Sequence, residues 1–199
     1  MEGILNLYVK FALFTLGIAA FLGATSGVVS ALETEAQFID RVILMPHNSA
    51  ITGDAVIALR EWYGIPPLVT LTVVGAETSC GDPKLGGRLV QVHNYACIKA
   101  GSPNTPWGRL ATGVVTVGGK KWWVWPSMWD GMAALGRCLK TGPGTRPGTY
   151  LKYIETKDWP ALTSLWYGAS VPGYPAYHKT WMKIYNSFKK KANDAGWRW

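Results

Sequence analysis

Residues 66–76 read PPLVTLTVVGA, and no charged side chain interrupts them. Val69, Val73, Val74 and the two threonines between them suit a strand as well as a helix. The Pro–Pro opening places Pro67 at a favoured first-turn position, and the run is long for a strand, so a helix is expected. A helix that is apolar on every side must be buried on every side. The rest of the domain therefore has to wrap around this segment. Glu77 closes the run and is followed by the small-residue turn TSCGD. The C-terminal end of a helix carries the negative pole of its dipole, which disfavours a carboxylate and raises its pKa. Glu77 is thus either an ordinary solvated helix end or a general acid.

The chain has 199 residues, enough for one domain and an appendage. Residues 11–32 contain no charge and are long enough to cross a hydrocarbon core as a helix. Lys10 precedes them, and Glu33 and Glu35 follow, which predicts a cytoplasmic N-terminus with the remainder outside. VSA at 29–31 offers a signal-peptidase site as the competing reading. The expected organisation is an anchor or signal segment over residues 1–33 and a catalytic domain over residues 34–199 outside the cytoplasm. The lipid bilayer would then be a partner through residues 11–32.

The formal net charge of +8 suits a polyanionic partner such as an anionic wall polymer. The cations are scattered apart from Lys189, Lys190 and Lys191, and no nucleic-acid-binding signature is present, so nucleic acid is not an expected partner. His47, His93 and His178 lie far apart without a nearby cysteine, so no metal site and no cofactor are expected. Cys80 and Cys97 flank a turn-rich stretch, either as a disulfide of an exported domain or as two buried thiols; Cys138 is left over.

Helical periodicity and caps predict helices before Pro46, from Thr52 or Asp54 to Gly64, after the Ser127 cap, in two short segments near residues 149–168, and in a long C-terminal stretch. TGVVTVGGKKWWVWP reads as a β-hairpin turning at Gly118–Gly119. The fold class expected is α+β and lysozyme-like: mostly helices around one buried helix, with a small β-hairpin lobe and an N-terminal transmembrane helix.

Taken in order, VGAETSCGD (Ala76, Glu77, Ser79, Gly81) and NYACIKA (Asn94, Tyr95, Ile98, Lys99) resemble the glucosaminidase family of peptidoglycan hydrolases, the flagellar and autolysin type of the lysozyme-like superfamily. WVWPSMWDGMAALGRCL resembles that family's strand and following helix, and YGASVPGYPAYHKTWMKIY its late segment and final helix. The likeness runs from about Ala36 to the end. It implies hydrolysis of the β-1,4 bond between amino sugars of peptidoglycan glycan strands, in wall remodelling or in phage invasion and lysis. The sequence departs from the pattern in two places. No Asp or Glu lies between Asp82 and Asp130, and VPGYPAY lacks the acid of the family's late motif.

Glycoside cleavage needs a proton at the leaving oxygen, and a carboxylic acid in apolar surroundings can hold one near neutral pH. Glu77 is the expected general acid. A second carboxylate about 5–10 Å away would serve as nucleophile or base, and the candidates are Asp82 and Asp130, the latter also a favourable helix-start acid. A third route uses one acid, with the substrate's acetamido group or a sugar hydroxyl closing on the anomeric carbon, as in single-glutamate lytic transglycosylases of the same superfamily. Asn94 and Tyr95 are expected to orient Glu77 or the substrate, and Tyr174 and Tyr177 to line the groove, with Tyr174 also a candidate catalytic residue. Trp123 is assigned to one hairpin face and Trp122 with Trp125 to the other, one set packing and the other stacking on sugar; Trp123 and Trp125 are the candidate platform. A non-enzymatic wall-binding or virion structural module is the competing function.

Overall fold

A computed structural model of the chain describes residues 33–142 and 148–199. The first helix, α1 (Glu35–Phe38), is opened by Thr34, whose side chain accepts from the Gln37 backbone N–H while the Gln37 side chain accepts from the Thr34 N–H. It runs on as a π-helical stretch, Ile39–Leu44, and a 3-10 turn, Met45–His47, that ends at left-handed Asn48. Thr52 caps α2 (Gly53–Tyr63), and Gly64 closes it at φ 73°, where a side chain would be strained.

The expected central helix is α3 (Pro67–Thr78), with every residue from Pro67 to Val74 buried. Thr72 and Thr78 return their hydroxyls to the carbonyls of Leu68 and Val74, 2.6 and 3.1 Å away, whereas the buried Thr70 hydroxyl has no hydrogen-bond partner among the described residues. A short α4 (Gly87–Gln91) leads into the loop that carries Asn94. The hairpin pairs β1 (Gly113–Val117) with β2 (Lys120–Val124), antiparallel, around Gly118–Gly119. Lys99 makes a bridge to Trp122 on the other side of β2.

Ser127 caps α5 (Met128–Thr141), and α6 (Thr149–Glu155) and α7 (Trp159–Thr163) follow. A second π-helical turn, Ser164–Gly168, leads to α8 (Tyr174–Asp194). This last helix lies along α3 and buries Trp181, Tyr185, Phe188 and Ala192, a one-sided helical spacing. Trp159 joins Trp181 and Tyr185 at ring-centroid distances of 5.5 and 5.0 Å.

Among the described residues the domain is mostly helical with a single pair of five-residue strands and one bridge beside it, in keeping with the expected helices and small β-hairpin. One part of the expected fold class is corrected. The transmembrane helix is not found: among the described residues no helix is long and apolar enough to cross a membrane. The segment read as that helix, residues 11–32, lies outside the described residues. The Cys80–Cys97 disulfide is not formed, and all three cysteines are free thiols.

Candidate active site

Glu77 sits in the last turn of α3. The helix stops because Ser79, Cys80 and Gly81 all adopt left-handed φ values of 52°, 63° and 76°. Ser49 donates its hydroxyl to the Cys80 carbonyl at 2.6 Å and Ala50 its N–H to the Gly81 carbonyl at 3.0 Å, so the turn is pinned from a second segment. A side chain at Gly81 would press on Ile51 and Tyr95 as well as strain the backbone.

Two donors converge on one oxygen of the Glu77 carboxyl. Trp166 Nε1 donates to Oε1 at 2.9 Å and Tyr177 Oη donates to the same atom at 2.7 Å. Trp166 comes from the second π-helical turn and Tyr177 from the first turns of α8. Single π-helical turns recur at functional sites because the extra residue re-aims a side chain. The Trp166 ring lies against Tyr150, with centroids 5.4 Å apart, and the Tyr177 ring stacks on Tyr167 at 4.4 Å.

Burial raises the Glu77 carboxyl above the ordinary carboxylate range. The hydrogen bonds from Tyr177 and Trp166, a weaker one from Cys97, and the charge of Lys99 act in the opposite sense without cancelling it. Burial, then the neighbouring Glu77, also pushes the Cys97 thiol up, so it stays protonated, within 3.5 Å of the Glu77 carbonyl.

The carboxyl opens on a cleft of about 190 Å³ that Cys97, Lys99, Lys120, Trp122, Trp166 and Tyr167 also line. Among the described residues Glu77 is its only carboxylate. A larger groove of about 410 Å³ lies between the end of α3 and α8, but it includes neither Glu77 nor any other acid. Of the two, the smaller cleft is the one that brings a carboxyl group together with aromatic walls.

The other expected residues fall in different places. Asp82 is nearly buried and accepts from the backbone N–H groups of Lys84 and Leu85, which makes it a turn-forming residue. Asp130 accepts from the Ser127 hydroxyl at 2.5 Å in the first turn of α5. Neither lines the cleft. Asn94 is fully buried, and its amide bonds only to the backbone of Ile98 and Trp123, so it holds a loop to the hairpin. Tyr95 is buried, with its hydroxyl 3.0 Å from His93 Nδ1. Tyr174 donates to the Pro160 carbonyl, away from Glu77.

The assignment of hairpin faces is corrected. Side chains alternate along a strand, so Trp123 and Trp125 belong together and Trp122 opposes them. Trp123 and Trp125 are buried in the core, whereas Trp122 lines the cleft and donates its indole N–H to the Val117 carbonyl at 3.1 Å. Trp166, Tyr167, Lys99 and Lys120 are cleft residues to which the sequence reading gave no role in the site, and Trp122 had one only as a member of one of two alternative hairpin sets. The bridge that brings Lys99 beside Trp122 and the π-helical turn that aims Trp166 leave no periodic trace.

No family model and no curated protein matches the chain. Among solved structures, the catalytic domain of the autolysin Auto from Listeria monocytogenes is similar at a TM-score of 0.43 and 15% identity. The match covers 84% of this chain and 93% of that one. The functional reading rests instead on the geometry around Glu77.

Proposed function

We propose that this chain cleaves the β-1,4 bond between amino sugars of peptidoglycan, with Glu77 as the general acid. The observation that carries the reading is the carboxyl itself: raised by burial, opening on a cleft with aromatic walls, and held at one oxygen by Tyr177 and Trp166. Both donors occupy Oε1, so the acidic proton resides on Oε2, the oxygen that remains to meet the glycosidic oxygen. As the proton leaves, charge develops on the carboxylate, and the two N–H and O–H dipoles already aimed at it stabilise that charge. Trp122 and Tyr167 supply flat apolar faces on which sugar rings pack.

The absence of a second acid from the cleft's described lining favours a single-acid route. The positive charge at the anomeric carbon would then be met by the substrate's acetamido oxygen or by one of its hydroxyls. The first route leads to hydrolysis and the second to an anhydro-sugar product. Mass spectrometry of the soluble fragments from purified peptidoglycan tests the proposal. New reducing amino-sugar ends or anhydro ends support it and separate the two routes. Binding of the chain to the wall material with no new ends overturns it in favour of a wall-binding module.

A further inference from the structure

Three side chains lining the cleft share one face of the hairpin. Lys99 bridges directly to Trp122, and directly paired residues project from the same face. Lys120 lies two residues before Trp122 on β2 and so projects from that face too. Ala100 N–H donates to the Lys121 carbonyl at 2.9 Å, which extends the pairing toward Lys120. On the opposite face Ile98 and Trp123 are packed into the core. A potential sugar-stacking ring is thereby flanked by two ammonium groups.

Both lysines are exposed, and among the described residues neither makes an ion pair. Among the described residues the only carboxylate of the lining is Glu77, which must hold its proton to act as an acid and in that form cannot neutralise them. Lys99 lies near enough to bear on the Glu77 carboxyl electrostatically. The free cleft therefore presents two uncompensated positive charges beside the proton donor. A neutral amino-sugar polymer offers them nothing, whereas an acidic one supplies the missing anion.

We propose that Lys99 and Lys120 form a carboxylate-binding subsite around Trp122, so that the preferred substrate is an amino-sugar polymer with an acidic substituent next to the scissile bond. This rests on the glycosidase reading above and adds the charge of the substrate. The carboxylates of peptidoglycan stem peptides have the required chemistry.

The test compares one purified peptidoglycan before and after its carboxylates are converted to neutral amides, with kcat/KM measured on both for the full chain. Two exposed ion pairs together give a preference of about twofold to thirtyfold. Wild type is expected to favour the native polymer by about that factor, and the K99Q/K120Q variant by less than about twofold. The single variants K99Q and K120Q, each with an intermediate preference, keep the comparison readable if the double variant does not fold. Equal rates on both polymers for wild type overturn the subsite while leaving the glycosidase reading intact. A preference that survives in the lysine variants does the same. No cleavage of either polymer by wild type overturns both.

Discussion

Replacing Asn94 by alanine separates a structural role from a substrate-contact role. The Asn94 side chain donates to the carbonyls of Ile98 and Trp123 at 2.9 and 3.1 Å and accepts from the Ile98 N–H at 2.8 Å. These bonds tie the loop that carries Cys97 and Lys99 to β2. In the Asn94→Ala variant the Ile98 carbonyl keeps a donor, the Trp123 N–H at 3.4 Å. The Ile98 N–H keeps none, and an unsatisfied buried donor costs about 1–3 kcal/mol. With the void left by the amide, the total is about 3 kcal/mol. For a domain of this size each kcal/mol lowers Tm by about 2–4 °C, so a fall of about 6–12 °C is expected. Thermal melts followed by far-UV circular dichroism measure it, and a urea titration with an unchanged m-value checks that the loss is one of stability. A Tm within about 1 °C of wild type, accompanied by weaker wall binding, would refute the structural role and return Asn94 to the substrate.

Three further outcomes are expected. Burial lifts the Glu77 carboxyl in the folded state, so the native protein binds its proton more tightly than the unfolded chain, and stability falls as pH rises through that interval. Glu77→Gln should therefore be more stable than wild type at neutral pH, with the gain vanishing below the ordinary carboxylate range; a pH-independent difference in urea midpoints contradicts this. Tyr177→Phe removes a charge-assisted donor worth about 1.5–3 kcal/mol to the ionised carboxylate. Its alkaline limb of activity should move to higher pH, whereas an unmoved limb means that Tyr177 does not act on Glu77. Gly131→Ala would place a Cβ 2.0 Å from the His93 carbonyl oxygen, forcing α5 away from the loop. Overpacking of this kind costs about 1–3 kcal/mol, read as a lower urea midpoint; an unchanged midpoint contradicts the close approach.

The elements that hold the site were legible because they rest on local chemistry. The Pro–Pro start and unbroken apolarity of residues 66–76 specify a buried helix, Ser127 specifies the cap of α5, and Gly118–Gly119 the hairpin turn. Glu77 was a different case: its place at the unfavourable end of such a helix left a solvated helix end equally open, and it was singled out chiefly by the resemblance carried by the NYACIKA stretch that follows. The cleft around it was less legible. Asn94 and Tyr95 lie in a suggestive stretch, but their polar atoms are satisfied within the core, and bond satisfaction is a property of the folded neighbours. Trp166 is 89 positions from Glu77 and meets it only because a π-helical turn aims it there. The hairpin tryptophans show the reverse case. The period of a strand suffices to set Trp122 apart from Trp123 and Trp125, and the correct alternation would have singled it out.

The central role given to Glu77 is tested most directly by the rate at which wild type and Glu77→Gln release saccharide ends from purified peptidoglycan. Glutamine keeps the shape and can still accept from Tyr177 and Trp166, but it has no proton to give. A positioned general acid contributes about 10²–10⁴-fold, so the variant should be slower by about that factor while remaining folded. Equal rates for the two proteins would contradict the assignment.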